Sequence, residues 1–237
     1  MLKNSKPIVL VAGDPKSVFL EIFFKSLKKN KFKNPLILIV NKKILLKQMK
    51  FLKYNFKTNK LEINNINFKY LDNKKINFID IPFNEKLITK YINESFKTAL
   101  LLFKKNKKIN LINGPINKKK ILKQRFLGIT EYLDFKTKSK GKTVMLIYNK
   151  DLSVSPLTTH LPLKEVHKFI SKKKLINHVQ QITNFYKERF NIIPKIGVTG
   201  LNPHCESNFH KSEEEKIIIP AIKFLSQKKF KVSGPYA

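Results

Sequence analysis

Residues 7–15 read Pro-Ile-Val-Leu-Val-Ala-Gly-Asp-Pro, a short apolar run that ends in a glycine turn. An apolar run of this length, Pro7 to Ala12, reads as a strand, and Gly13-Asp14-Pro15 behind it as a turn. The pattern repeats outward from there. Pro35 to Val40, Ile76 to Ile81, Ile109 to Asn113, Lys142 to Tyr148 and Lys195 to Gly200 also read as strands. Helical stretches separate them. Between Lys172 and Phe190, Leu175, Ile176, Val179, Ile182, Phe185, Tyr186 and Phe190 recur at the spacing of one helix face. Glu85 to Lys105 reads the same way, as does Ser212 to Lys228, where Ser212 and Glu213 to Glu215 supply a cap and first-turn carboxylates. Strands alternating with helices predict an α/β fold. Asn55 to Asn77, rich in Asn and Lys, reads as an excursion between elements.

Composition narrows the function classes. A chain of 237 residues with 42% hydrophobic content has room for one or two folded domains. Its longest apolar runs, Ile8 to Ala12 and Leu36 to Val40, fall far short of the ~20 residues of a membrane span. Met1 to Lys6 leads into a strand without a signal-peptide pattern, so a cytoplasmic location is expected. The single cysteine, Cys205, leaves no internal disulfide and no zinc site built from several thiolates. With 49 basic against 16 acidic residues, the net charge of +33 brings nucleic acid to mind first. The residue types argue against it. Arg125 and Arg189 are the only arginines, and the lysines run from Lys3 to Lys231 without gathering into a patch. Abundant Lys, Asn, Ile and Phe with no Trp fits a drift of composition instead. A non-catalytic, lysine-rich α/β protein that binds nucleic acid or another polyanion stands as the alternative.

Open α/β sheets place ligands at the turns behind their strands, and four such turns carry chemistry. They are Ala12 to Pro15, Asn113 to Lys118, Leu157 to Leu163, and Gly200 to Glu206. Gly114 is either a structural turn or a point of close backbone approach to a ligand, and Lys118 is suited to an anion. His160 and His204 each end an apolar run at a proline-bearing turn, a rigid frame for aiming an imidazole at a metal. An ordinary surface or core histidine is the competing reading. His167 and His178 lie in helical patterns, and His210 follows the fourth turn as a supporting residue.

The order of these pieces resembles the 4-hydroxythreonine-4-phosphate dehydrogenase family of vitamin B6 biosynthesis, related in fold to isocitrate and isopropylmalate dehydrogenases. The matching pieces are Gly13-Asp14-Pro15, Asn113 to Lys118, Gly128 with Thr130-Glu131, Thr158-Thr159-His160-Leu161-Pro162-Leu163, Gly200 to His204, and Glu213-Glu214 with Ile219 to Ile222. The resemblance implies an α/β, isocitrate/isopropylmalate dehydrogenase-like two-domain fold, C-terminally truncated, with a first domain at 1–126 and a second at 127–237. It implies NAD- or NADP-dependent oxidation of a phosphorylated hydroxy amino acid at its C3 alcohol, followed by decarboxylation. It also implies a homodimer with the site near the interface, and a divalent metal (Zn, Mg, Mn or Co) held by three histidines, two of which match His160 and His204. Thr130 matches a substrate contact. No residue is assigned to cofactor binding.

Three departures stand beside the match. Ile129 occupies the place of a substrate-binding histidine, and Ser17 to Leu20 replace the glycine-rich continuation of the opening turn. The family also continues beyond the position of Ala237, with the third metal histidine, further substrate contacts and much of the nucleotide site. Little or no turnover by this chain alone is therefore expected.

Overall fold

The computed structural model describes residues 6–68, 70–106, 108–118, 121, 126, 128–139, 143–205 and 212–237. The chain divides into two compact units, Met1–Arg125 and Phe126–Ala237.

The first unit is a sheet of parallel strands β1 (Ile8–Val11), β2 (Leu36–Val40), β3 (Thr58–Lys60), β4 (Ile76–Asp80) and β5 (Asn110–Asn113). Their order is β3-β4-β2-β1-β5. Helices α1 (Phe19–Lys29), α2 (Lys42–Phe51) and α3 (Ile88–Lys105) cover it. Side chains alternate along a strand, so Leu10, Leu38, Val40 and Phe78 meet Leu20, Phe23, Phe24, Leu45 and Met49 of α1 and α2. Val9, Val11, Ile37 and Ile39, wholly buried, take the opposite parity. There α3 packs against β1 and β2, its own Ile92, Phe96, Ala99 and Leu102 buried at helical spacing. This two-sided burial explains the unbroken apolar runs. Asn41 starts α2 by accepting hydrogen bonds from the N–H groups of Lys43 and Ile44.

The Asn-rich stretch is more ordered than its composition suggests. It contains β3, and buried Asn77 ties that edge strand down by accepting from Asn59 Nδ2 at 3.0 Å and donating to the Asp72 carbonyl at 2.6 Å.

Chain order reverses at β1, with β2 on one side and β5 on the other. At that point the two glycine turns lock together. Gly114 N–H donates to the Val11 carbonyl at 2.7 Å, and Asp14 N–H to that of Pro115 at 2.8 Å. A Cβ on Gly114 would stand 2.3 Å from the Ala12 carbonyl oxygen and 2.8 Å from the Phe19 ring. The close packing of these two backbone turns is thus a structural reason for a glycine at 114.

The second unit pairs β6 (Ile196–Thr199) with β7 (Val232–Tyr236), parallel, and contains α4 (Ile129–Thr137), α5 (Lys172–Phe190) and α6 (Ile219–Gln227). Leu175 and Val179 of α5 pack with Ala221, Ile222 and Leu225 of α6 over Ile196, Val198 and Val232. Ser212 caps the last helical segment as expected, accepting from Glu215 N–H at 3.2 Å. Its opening turn, Glu214–Ile218, is wound as a π-helix. Pro220 has no N–H to return to the carbonyl four residues back, which loosens the ladder there.

The strand expected over Lys142 to Tyr148 is corrected. Lys142 lies outside the described residues, and the remainder makes a single antiparallel bridge, Ile147 to Val154. Ser153 ends it by bonding both N–H and carbonyl of Asn149, which turns the chain back before a ladder forms. Among the described residues, no helix is long and apolar enough to cross a membrane.

Candidate functional site

Gly128 begins α4, with Thr130 and Glu131 in the first turn. Below them Tyr132 is buried, its ring edge-on to Phe126 at 5.6 Å, which anchors the helix start. Glu131 folds back across the turn and its Oε1 accepts the Thr159 hydroxyl at 3.1 Å. The His160 ring stands over the same place. A Cβ on Gly128 would lie 3.0 Å from Glu131 Oε2 and 3.8 Å from His160 Nε2. The fold thus brings Gly128 to Glu131 together with Thr158 to Leu163, two stretches well apart in sequence. His160 itself is exposed and sits at φ +56°, in the left-handed region. Behind it the Pro162 carbonyl accepts from Glu165 N–H at 2.8 Å and starts a 3-10 turn, which fixes the exit of the loop. Ile129, half-buried, puts an aliphatic side chain beside Thr130.

His204 stands on the loop behind β6. Glu214 reaches into that loop from the π-turn and accepts the N–H groups of Leu201 at 2.7 Å and Asn202 at 2.8 Å. Asn202 Oδ1 in turn accepts His204 N–H at 3.0 Å. Burial by itself pushes the Glu214 carboxyl pKa up. The N–H groups of Asn202, Glu214 itself and Leu201, with the Ser212 hydroxyl, more than reverse this and leave it below the usual carboxylate value. A lowered folded-state pKa means that its contribution is complete above the ordinary carboxylate range and is lost as pH falls through the lowered value. Glu214→Gln is expected to cost about 1–3 kcal/mol near neutral pH and to flatten the acid limb of the stability profile, as urea unfolding across a pH series would measure.

His160 and His204 share no hydrogen bond, and the described residues contain no group of three or more His, Cys, Asp or Glu side chains able to hold a metal ion. Glu206 and His210 lie outside the described residues. His178 is buried on α5, with Nε2 2.6 Å from the Ser155 hydroxyl. That hydroxyl donates to the Met145 carbonyl, so the imidazole is the donor and the pair is no activated nucleophile. Burial, and then the charge of Lys174, push its pKa down. His167 lies in the 3-10 turn, and Lys118 is exposed beyond β5.

Glu131 and Glu214 are the positions whose roles the sequence did not announce. Both look like ordinary first-turn carboxylates, and only tertiary contacts turn them towards the two histidine loops.

A family described as "Pyridoxal phosphate biosynthetic protein PdxA" matches residues 31–237. The chain is 39% identical over 112 residues to a 4-hydroxythreonine-4-phosphate dehydrogenase of Sulfurihydrogenibium sp., covering 46% of this chain and 34% of that protein. It is 41% identical over 113 residues to the enzyme of the same name from Neisseria meningitidis serogroup A, covering 47% and 34%. The matched stretch thus spans about a third of these curated relatives. In fold, the chain superposes on the crystal structure of 4-hydroxythreonine-4-phosphate dehydrogenase from Klebsiella pneumoniae with a TM-score of 0.77 at 22% identity, covering 98% of this chain and 75% of that one.

Proposed function

Because the chain belongs to the PdxA family of pyridoxal phosphate biosynthetic proteins, we propose that it carries the substrate-binding part of a 4-hydroxythreonine-4-phosphate dehydrogenase. The reaction removes a hydride from the C3 carbon of the phosphorylated hydroxy amino acid to NAD or NADP and a proton from its hydroxyl, after which the β-keto acid loses CO2. The observation that carries the reading is the convergence of α4 with the His160 turn through Glu131 and Thr159. Thr130 offers a hydroxyl to a polar substrate group from the first turn of α4. The His160 imidazole, on a left-handed turn, is exposed. A divalent ion, Zn, Mg, Mn or Co, would draw on His160 and His204 and need donors from outside the described residues. A homodimer is supported by the apolar surface of the second unit, where Ile147, Tyr148, Leu152 and Ile192 are at least half exposed.

Titration calorimetry with 4-hydroxythreonine 4-phosphate tests the reading. Binding is expected, and Thr130→Ala should weaken it by about 5- to 30-fold, the worth of one hydrogen bond. Absence of that binding, together with heparin affinity falling steeply as salt is added, would favour the polyanion alternative.

A further inference from the structure

We propose that Glu131 is the positioning residue of His160: its buried Oε2 accepts the Nε2–H of the imidazole and turns the ring so that Nδ1 faces outward. The arrangement deepens, and for its purpose rests on, the binding role assigned to His160. Glu131 Oε2 is closed off from solvent and has no hydrogen-bond partner among the described residues. Buried carboxylate oxygens do not stay unpaired without cost, so a donor belongs there. Oε1 is already held by the Thr159 hydroxyl, one residue from His160, which fixes the carboxylate head. Oε2 is left pointing at the space over Gly128. The atoms nearest to a Cβ built on Gly128 are Glu131 Oε2 at 3.0 Å and Nε2 and Cδ2 of His160 at 3.8 and 4.0 Å. Carboxylate and ring edge thus border one small space, and a turn of the imidazole joins them.

Gly128 supplies a second, independent observation. Its φ of −159° is extended backbone open to any residue, so conformation gives no reason for a glycine. Space does, since a methyl group would press against Oε2 and separate it from the ring. With Nε2–H committed to the carboxylate, the Nδ1 lone pair remains free for a ligand, and the neutral tautomer is set by the partner of the other nitrogen.

The test is nitrogen-15 NMR of the histidine-labelled chain, with His160→Ala assigning the signal. An exposed ring N–H exchanges with water too fast to be seen, whereas one bonded to a buried carboxylate is retained. A His160 Nε2–H cross-peak is expected in the wild type, lost in Glu131→Ala and kept in Glu131→Gln through the side-chain carbonyl. Absence of the peak in the wild type, its assignment to Nδ1, or its survival in folded Glu131→Ala would overturn the proposal. If Glu131→Ala does not fold, Gly128→Ala replaces it, with loss of the peak supporting and persistence contradicting. Substrate binding indifferent to His160→Ala, with the cross-peak present, would remove the binding role of His160 and leave its positioning intact.

Discussion

Replacing Gly114 by alanine is expected to destabilise the first unit by about 3–5 kcal/mol, as much as the largest core truncations. The added methyl would sit 2.3 Å from the Ala12 carbonyl oxygen and 2.9 Å from its carbon, both backbone atoms of the turn behind β1. Neither atom yields as a side chain does, because Ala12 N–H is bonded to the Ile39 carbonyl and the neighbouring Asp14 N–H to that of Pro115. The Phe19 ring, 2.8 Å away on a third side, stacks on Phe23 in the core. Relief requires β1 and β5 to part where the sheet changes direction. Chemical denaturation followed by circular dichroism measures the loss, and a change within 1 kcal/mol of wild type would refute this account of the turn.

Dehydrogenase turnover by the 237-residue chain is expected to fall about three to five orders of magnitude below that of a full-length relative. Ile129 cannot donate the hydrogen bond implied by the family resemblance, a loss of about 1–3 kcal/mol. The described residues contain no group of three or more His, Cys, Asp or Glu side chains able to hold a metal ion, and an electrostatic group acting on the developing alkoxide is worth about 3–4 kcal/mol. The alignment also leaves a quarter of the solved Klebsiella chain without a counterpart here, since 75% of it is covered. The assay supplies Mg2+, Mn2+ or Zn2+ with NAD or NADP and 4-hydroxythreonine 4-phosphate, and follows reduced nicotinamide by absorbance. Turnover at the level of a full-length relative would overturn the prediction, and turnover indifferent to both His160→Ala and His204→Ala would remove the metal-site reading with it.

Much of the fold was legible because burial on both faces leaves a plain signature. Val9, Val11, Ile37 and Ile39 announce strands by being apolar without interruption, and the apolar stripe of α5 gives its limits, Lys172–Phe190. What escaped lacks that signature. β3 is Thr-Asn-Lys, a polar edge strand with one neighbour, and β7 carries Gly234 and Pro235, residues that read as a turn. Lys142 to Tyr148 has the residue types of a strand, but Ser153 folds the chain back on Asn149. In the site, the proline-bearing histidine turns stood out locally. The carboxylates that hold them did not, because the bonds from Glu131 to Thr159 and from Glu214 to Leu201 span the folded chain.

The central claim is that α4 and the His160 turn form one binding site for a phosphorylated hydroxy amino acid. Its most direct test is backbone NMR shift mapping during titration with 4-hydroxythreonine 4-phosphate. The account predicts that Thr130, Glu131, Thr159 and His160 shift together, with one shared dissociation constant. Shifts confined to the other unit, for instance to the roughly 580 Å³ cavity lined by Lys60, Glu62, Asp80 and Leu101, with α4 and the His160 turn unmoved, would contradict it.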